Sequence, residues 1–253
     1  MKIISSSPKF ISFAVVVVLV GVSTHTFAAS GEQSAVTSDS ASIKSASAAP
    51  ILTYRPPLRG APTTRVGGGT RSSSYALLTL TALAPNHTGY TFSDTPTLYW
   101  YVSKAINLPI EITLTVEETT EPLLEVTLDA PIQNGIHALR LKDHGMSLKP
   151  GVEYQWFVAV VRDPDQRSKD ILAGGSIKWV AASQAVQARL DETGKVDWPS
   201  VYAESGLWYD AVEGISKLID ADPADLKLRE QRASLLDQVG LVEAAAYDRN
   251  RSK

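Results

Sequence analysis

Alternation of apolar and polar residues is the feature that most restricts the fold of this chain. Ile110, Ile112 and Leu114 alternate with Glu111 and Thr113. Successive side chains of a strand point to opposite faces, so this period of two predicts a half-buried β-strand. Six further strand-like runs cover residues 77–83, 98–102, 124–128, 136–141, 152–161 and 171–180. We therefore predict an antiparallel β-sandwich of about seven short strands in residues 59–182.

A short motif before one of these runs supports the same fold. Residues 148–154 read Leu-Lys-Pro-Gly-Val-Glu-Tyr, which resembles the L-x-P-G-x-x-Y tyrosine corner of fibronectin type III and similar sandwiches. In that corner a tyrosine, here Tyr154, bonds backward to the main chain at the entrance of a strand. The resemblance implies an immunoglobulin-like sandwich and brings no activity with it.

The C-terminal part, residues 183–253, has the period of helices and contains an internal repeat. Residues 201–211 align with residues 235–245 at an offset of 34, and Gly206 then matches Gly240. A 34-residue period with Gly and Ala at fixed positions is typical of tetratricopeptide repeats. We predict tetratricopeptide-like helical hairpins here. They are too few for a free-standing superhelix, so they should pack on the sandwich or on a partner.

The N-terminus has the pattern of a cleavable secretory signal peptide over residues 1–28. Lys2 and Lys9 precede an apolar run at 10–22, and small residues predict cleavage after about Ala28. The apolar run is shorter than the roughly 20 residues that a membrane-spanning helix needs. We expect the mature protein in the periplasm, secreted or at the cell surface, without a transmembrane span after cleavage.

The segment after the signal peptide, residues 29–58, is rich in Ala, Ser and Pro. It contains few large apolar side chains, so it cannot bury enough surface to offset the entropy of ordering. We predict a disordered linker there.

Composition excludes several classes of function. The sequence pI of 5.8 and the net charge of −3 argue against a nucleic-acid partner, which would require clustered Lys and Arg. There is no cysteine, which removes disulfides, thiolate catalysis, lipid attachment at a cysteine and Cys-zinc sites. No histidines have a metal-binding spacing. We predict no metal, no cofactor and no catalytic residues.

One loop carries a cluster of charge. It contains Asp163, Asp165, Arg167 and Asp170, which are the only charged cluster that could suggest an enzyme or a calcium site. The spacing does not match an EF-hand loop, which needs further oxygens, a Gly and a terminal Glu. The favoured interpretation is a hairpin loop in which Asp163 caps the turn and Arg167 pairs with an acid.

Aromatic residues suggest a possible ligand surface. Tyr99 and Tyr101 share one face of a predicted strand, opposite Trp100. If that face is exposed, the two rings could stack on sugars. The favoured alternative is that the C-terminal helices cover it, with Trp208 and Tyr209 as the helical half of the contact.

A glycine run lies before the first predicted strand of the sandwich. Gly67, Gly68 and Gly69 are flanked by Arg65 and Arg71. The run lacks the lysine and the strand–loop–helix context of a phosphate-binding loop. We interpret it as a glycine bend at the entry to the strand.

Five sequence elements follow one another from residue 59 onward. They are RGAPTTRVGGGTR (59–71), LTALAP (80–85), PTLYWYV (96–102), DPDQRSKD (163–170) and YAESGLWYDA (202–211). In this order they resemble the domain-of-unknown-function family 928, whose members are largely cyanobacterial exported proteins. Members often carry two cysteines near positions where this chain has Ser and Val. The resemblance implies export from a Gram-negative-type cell and brings no activity. It marks as hallmark residues Arg65, Gly67, Gly68, Gly69, Arg71, Asp163, Pro164, Arg167, Ser168 and Asp170.

Together these features predict an exported, non-catalytic binding or adaptor protein whose partner is an unidentified envelope protein or glycan. A glycan-binding module that uses the Tyr and Trp residues of the sandwich is the alternative. An enzyme built on the charged loop is the third and least favoured hypothesis, because the sequence shows no nucleophile, base and orienting group together.

Overall fold

The computed structural model describes four stretches of the chain. They are residues 52–57, 65–69, 78–116 and 121–251. The predicted signal peptide, most of the predicted linker and Arg71 lie outside these stretches. All described residues belong to one compact unit.

Nine strands are present in the described part of the chain, and they form two sheets. The strands are β1 (Gly67–Gly69), β2 (Thr79–Ala82), β3 (Gly89–Thr91), β4 (Thr97–Val102), β5 (Ile110–Thr115), β6 (Leu124–Leu128), β7 (Gly135–Arg140), β8 (Glu153–Val160) and β9 (Ile171–Trp179). One sheet has the order β1-β2-β4-β7, and the other has the order β3-β9-β8-β5-β6.

The seven predicted strands correspond to β2 and to β4–β9. The strands β1 and β3 were not predicted, because three residues are too few to show a period. The prediction of purely antiparallel pairing is wrong at β3, which runs parallel to β9 and pairs Gly89 with Ile177. This short strand lies at the edge of its sheet and pairs with β9 alone, so its direction is not constrained by a second neighbouring strand.

The core is built from the apolar faces of both sheets. On β5 the residues Ile110, Ile112 and Leu114 are fully buried while their neighbours keep some exposure, as the alternation predicts. Trp100 of β4 and Trp156 of β8 are also fully buried. Side chains from both sheets and from the C-terminal helices form one continuous hydrophobic cluster.

The turn before β8 has the geometry that its motif predicts. The hydroxyl of Tyr154 accepts a hydrogen bond of 2.9 Å from the main-chain N–H of Lys149. Gly151 lies between them with φ of +74°, a conformation that favours glycine. The backward hydrogen bond predicted for Tyr154 is confirmed.

Five helices follow the sheets within the described residues. They are α1 (Gln184–Glu192), α2 (Trp198–Glu204), α3 (Trp208–Ala221), α4 (Leu226–Asp237) and α5 (Val242–Asn250). Ser183 starts the helical part as an N-cap, since its hydroxyl accepts a hydrogen bond from the N–H of Val186. The first helix therefore begins where the sequence changes from a period of two to a helical period.

The two turns related by the 34-residue offset have the same conformation. Gly206 between α2 and α3 has φ of +77°, and Gly240 between α4 and α5 has φ of +74°. The N–H of the next residue returns in each case to a carbonyl five residues earlier, over 2.9 Å in the first turn and 3.0 Å in the second. The internal repeat is therefore a repeat of structure as well as of sequence.

The helices pack on the sheet that contains β4. All six residues of β4 are buried, which a strand with one solvent-exposed face could not achieve. Leu98, Trp100 and Val102 are fully buried, whereas Tyr99 and Tyr101 lie beneath α3 and α5. The helical part and the sheets therefore share one interior.

Candidate functional site

The joint between helices and sheets is centred on the start of α3. Trp208 donates from Nε1 to the carbonyl of Leu83 over 2.8 Å. The hydroxyl of Tyr209 donates to the carbonyl of Ser176 over 3.0 Å and accepts from Nε1 of Trp156 over 2.8 Å. Because these groups are buried, each hydrogen bond satisfies a polar atom that water cannot reach.

The predicted aromatic ligand surface is absent. Tyr99 and Tyr101 are each only 7% exposed, and burial raises the pKa of Tyr99 to about 12. The ring of Tyr101 packs on that of Tyr247 of α5, with centroids 5.4 Å apart. The hypothesis that the two tyrosines stack on sugars is wrong, because the helices cover their face. The favoured alternative, that the C-terminal helices cover this face, agrees with the structure. Its choice of Trp208 and Tyr209 as the helical half of the contact is wrong, because Ser216 and Tyr247 lie against the two tyrosines while Trp208 and Tyr209 bond to Leu83, Ser176 and Trp156.

The glycine element is a short strand, β1, and not the bend predicted from its sequence, and it connects the two sheets. Gly67–Gly69 pairs with β2 of one sheet, and Val66 exchanges main-chain hydrogen bonds of 3.2 and 3.0 Å with Gly174 in β9 of the other. The Arg65 side chain donates to the carbonyls of Ala84 and Val239, each over 3.1 Å. The element therefore joins both sheets to the C-terminal end of α4.

The charged loop is closed by its own contacts. Arg167 binds Glu111 of β5 through two hydrogen bonds of 2.7 and 3.1 Å, and donates to Asp170 over 2.6 Å. These two carboxylates raise the pKa of the Arg167 guanidinium. Asp170 also accepts from the N–H of Arg162, and Asp163 accepts from that of Asp165.

This geometry matches the hairpin interpretation of the loop. Pro164 lies in its turn, and Ser168 lies in a single turn of 3-10 helix formed by Arg167–Lys169. Within the described stretches no cluster of three or more His, Cys, Asp or Glu residues could hold a metal ion. Two of the three acids considered for a calcium or catalytic site, Asp163 and Asp170, therefore act as turn caps and ion-pair partners.

Two of the grooves on the described helical part are lined by residues of α2. The first, the tryptophan groove, has a cavity volume of about 410 Å³. It is lined by Ser93, Lys195, Trp198, Tyr202, Asp210, Glu213, Gly214, Lys217 and Leu218. Trp198 and Tyr202 are partly exposed, one helical turn apart on α2, with their rings edge to face at 6.4 Å.

The charges of the tryptophan groove are already engaged within the protein. The ammonium group of Lys195 lies 5.7 Å from the ring centroid of Trp198, and that of Lys217 pairs with Glu213 at 2.6 Å. The carboxylate of Asp210 accepts from the N–H of Phe92 over 3.0 Å, which attaches α3 to the turn after β3. Enclosure of this carboxylate raises its pKa to about 7. The groove therefore presents aromatic surface framed by charged side chains that already have partners within the protein.

The second groove, the valine groove, has a cavity volume of about 300 Å³. It lies between the end of α1, the start of α2 and Gln231 of α4, and Leu52 closes one side. Val196 is 61% exposed at its rim, which is unusual for an aliphatic side chain beside a groove. The groove therefore offers apolar surface next to polar side chains.

Residues 52–57, named here the tether segment, fill the space beside the valine groove. Leu52 and Tyr54 are only 4% and 6% exposed. Their burial shows that the predicted disordered linker 29–58 extends too far at its C-terminal end. The sequence contained a weak signal for this, since Leu52 and Tyr54 are large apolar residues in a region that otherwise has few.

Sequence reasoning also missed the two grooves. Trp198 and Tyr202 are four residues apart, a spacing that places them on one face of a helix. The sequence alone therefore indicates that these two rings lie side by side. It does not indicate that Asp210 contacts the turn after β3, because that contact joins distant parts of the chain.

The described residues thus form a two-sheet body with a helical repeat packed on it. The chain belongs to the family described as Domain of Unknown Function (DUF928), whose model matches residues 66–248. No curated protein matches the chain.

One solved structure that aligns is the crystal structure of a multi-domain immunophilin from Arabidopsis thaliana. The alignment has 7% identity and a TM-score of 0.17, and covers 77% of this chain and 99% of that chain. Across the described helices, none is both long and apolar enough to cross a membrane.

Proposed function

We propose that this protein is an exported, non-catalytic binding or adaptor protein of the cell envelope. An immunoglobulin-like β-sandwich would be its platform, and tetratricopeptide-like hairpins would bind the partner. The hydrogen bond of Tyr154 to the main chain of Lys149 supports the first assignment. The matched turns at Gly206 and Gly240 support the second.

The observation that carries the binding role is the pair of grooves lined by α2. In each hairpin the second helix, α3 or α5, packs on the sheets through residues such as Tyr209 and Tyr247. Helix α2 lines both grooves, through Trp198 and Tyr202 on one side and residues 199–201 on the other, and α3 forms the opposite wall of the tryptophan groove. Trp198 and Tyr202 are adjacent, partly exposed aromatic side chains on α2, and contiguous apolar surface of this kind marks interaction sites.

Export is supported by the N-terminal pattern of a positive start, an apolar run and small residues before the cut. Cell fractionation followed by mass spectrometry of the N-terminal peptide tests it. We expect a mature chain that begins near Ala29 in the periplasmic or extracellular fraction. A cytoplasmic chain that still begins at Met1 would contradict export.

Site-specific photo-crosslinking tests the binding role in the native envelope. A benzoylphenylalanine at Val196 probes the valine groove, and one at Leu172 on the outer face of β9 is the matched control. Both positions are exposed and aliphatic in the native chain, at 61% and 40%. We expect a discrete crosslinked partner from position 196 only. Equal labelling from both positions, or no product from either, would contradict a partner on the helical face.

A further inference from the structure

The tether segment has the features of a bound peptide. Its side chains alternate between buried and exposed from residue 52 to residue 55, and it lies across the same ends of α2 and α4, where both helices reach their glycine turns. The N–H of Arg55 donates to the carbonyl of Ala203 at the end of α2 over 3.0 Å. The carbonyl of Arg55 lies so close to Gly206 that a methyl group there would be 2.9 Å away. The glycine turn therefore gives the segment room.

Gln238 at the end of α4 holds the main chain of the segment from the other side. Its amide oxygen accepts from the N–H of Tyr54 over 2.8 Å, and its amide nitrogen donates to the carbonyl of Leu52 over 2.6 Å. The same nitrogen also donates to the carbonyl of Ser234, which fixes the side chain on its helix. A side-chain amide that binds both a donor and an acceptor recognises an extended main chain whatever its sequence.

Sequence selectivity comes from alternate side chains of the segment. Leu52 and Tyr54 point inward, whereas Thr53 and Arg55 are exposed. The ring of Tyr54 packs edge to face on Trp208 at 5.0 Å and stacks on His87, to which its hydroxyl is hydrogen-bonded at 2.9 Å. Main-chain hydrogen bonds combined with pockets for every second residue are the way that proteins bind extended peptides.

We propose that the tether segment is an internal ligand of a peptide-binding groove. The partner that replaces it is an extended protein segment with an aliphatic residue two positions before a tyrosine. The inference rests on the proposed binding function and names the chemistry of the partner. Leu52 also lines the valine groove, so a longer partner segment would continue from the Leu52 position into that groove. A partner segment must displace the tether segment to bind. Because the tether segment is attached to the same chain, it competes with an effective concentration of about millimolar.

Fluorescence polarisation with a labelled peptide tests the proposal on the full chain. The probe is Leu-Thr-Tyr-Arg-Pro-Pro, the sequence of the tether segment, and the control peptide has Ala in place of Tyr. In the Tyr54→Ala variant the internal ligand loses its aromatic anchor, so we expect the probe to bind at least tenfold more tightly than to the wild type. Adding Gln238→Ala should weaken probe binding at least tenfold, since two main-chain hydrogen bonds are lost.

Several outcomes would overturn the proposal. One is a Tyr54→Ala variant with native circular dichroism that binds neither peptide at millimolar concentration, or binds both equally. Another is a dimer formed by exchange of the segment between two copies, which would make the chain its own partner. Crosslinking at Val196 reports separately on whether an envelope partner exists, so the two proposals can fail independently.

Hydrogen exchange on the unmodified protein covers the case in which Tyr54→Ala does not fold. If the segment opens locally, the amides of Tyr54 and Arg55 should exchange at least a hundredfold faster than those of β8. Equal rates would mean that the segment separates only on global unfolding, and would overturn the proposal.

Discussion

Tyr209→Phe removes one oxygen atom and thereby two buried hydrogen bonds. The hydroxyl of Tyr209 donates to Ser176 and accepts from Trp156, and both partners belong to strands of the same sheet. Without it the Trp156 N–H and the Ser176 carbonyl lose their partner inside the protein. An unsatisfied buried group costs about 1–3 kcal/mol, so we expect the free energy of unfolding to fall by about 2–4 kcal/mol.

Urea denaturation followed by tryptophan fluorescence and by ellipticity at 222 nm measures this loss. In a thermal scan the same loss corresponds to a decrease in Tm of roughly 5–15 °C. Tyr202→Phe is the matched control, since its hydroxyl has no protein hydrogen bond among the described residues and its ring is partly exposed. We expect less than about 1 kcal/mol there. An equal effect of the two substitutions would refute the role assigned to the Tyr209 hydroxyl.

Three further predictions concern the helical part. Asp248→Ala leaves the buried guanidinium of Arg232 without its two hydrogen bonds of 2.7 Å and should cost about 3–5 kcal/mol in urea denaturation. Burial holds the pKa of Asp210 near 7, above its value in the unfolded chain. Stability should therefore fall as the pH rises from about 4 to 7, and Asp210→Asn should remove this dependence of Tm on pH. Gly206→Ala should destabilise more than Gly240→Ala, because the two share a positive φ but only the first would bring its methyl group against the tether segment.

Each of these predictions has a contradicting outcome. An Asp248→Ala loss below about 1 kcal/mol would mean that water reaches the guanidinium of Arg232. A Tm that rises between pH 4 and 7 in the wild type but not in Asp210→Asn would reverse the sign assigned to this carboxylate. Equal effects of the two glycine substitutions would mean that the tether segment yields without cost.

The sequence predicted the elements of this fold better than their contacts. Seven strands and the start of the helices followed from a period of two that changed to a helical period near Ser183. Alternation on β4 showed that Tyr99 and Tyr101 share a face, but it could not show what covers that face. Coverage depends on α3 and α5, which are more than 100 residues away in the chain.

The candidate binding site was less predictable for the same reason. Leu52 and Tyr54 lie in a stretch with the composition of a linker, and the side chain that holds them, Gln238, is more than 180 residues away. Asp210 looks like any acid in the first turn of a helix until the turn after β3 is placed against it. Local composition predicts whether a segment can form a hydrophobic core by itself. It does not predict whether the segment is buried against an element that is distant in the sequence.

Three of the residues that carry the family resemblance have clear structural explanations. Arg65 ties the sheets to α4, Arg167 ties its loop to β5, and Trp208 ties α3 to the loop after β2. Each of these side chains uses its polar atoms on another part of the protein. The grooves beside α2 are different, because Trp198 and Val196 keep surface that no internal contact uses fully. Partner recognition should therefore be sought in the groove residues, where variation between relatives would change binding without unfolding the protein.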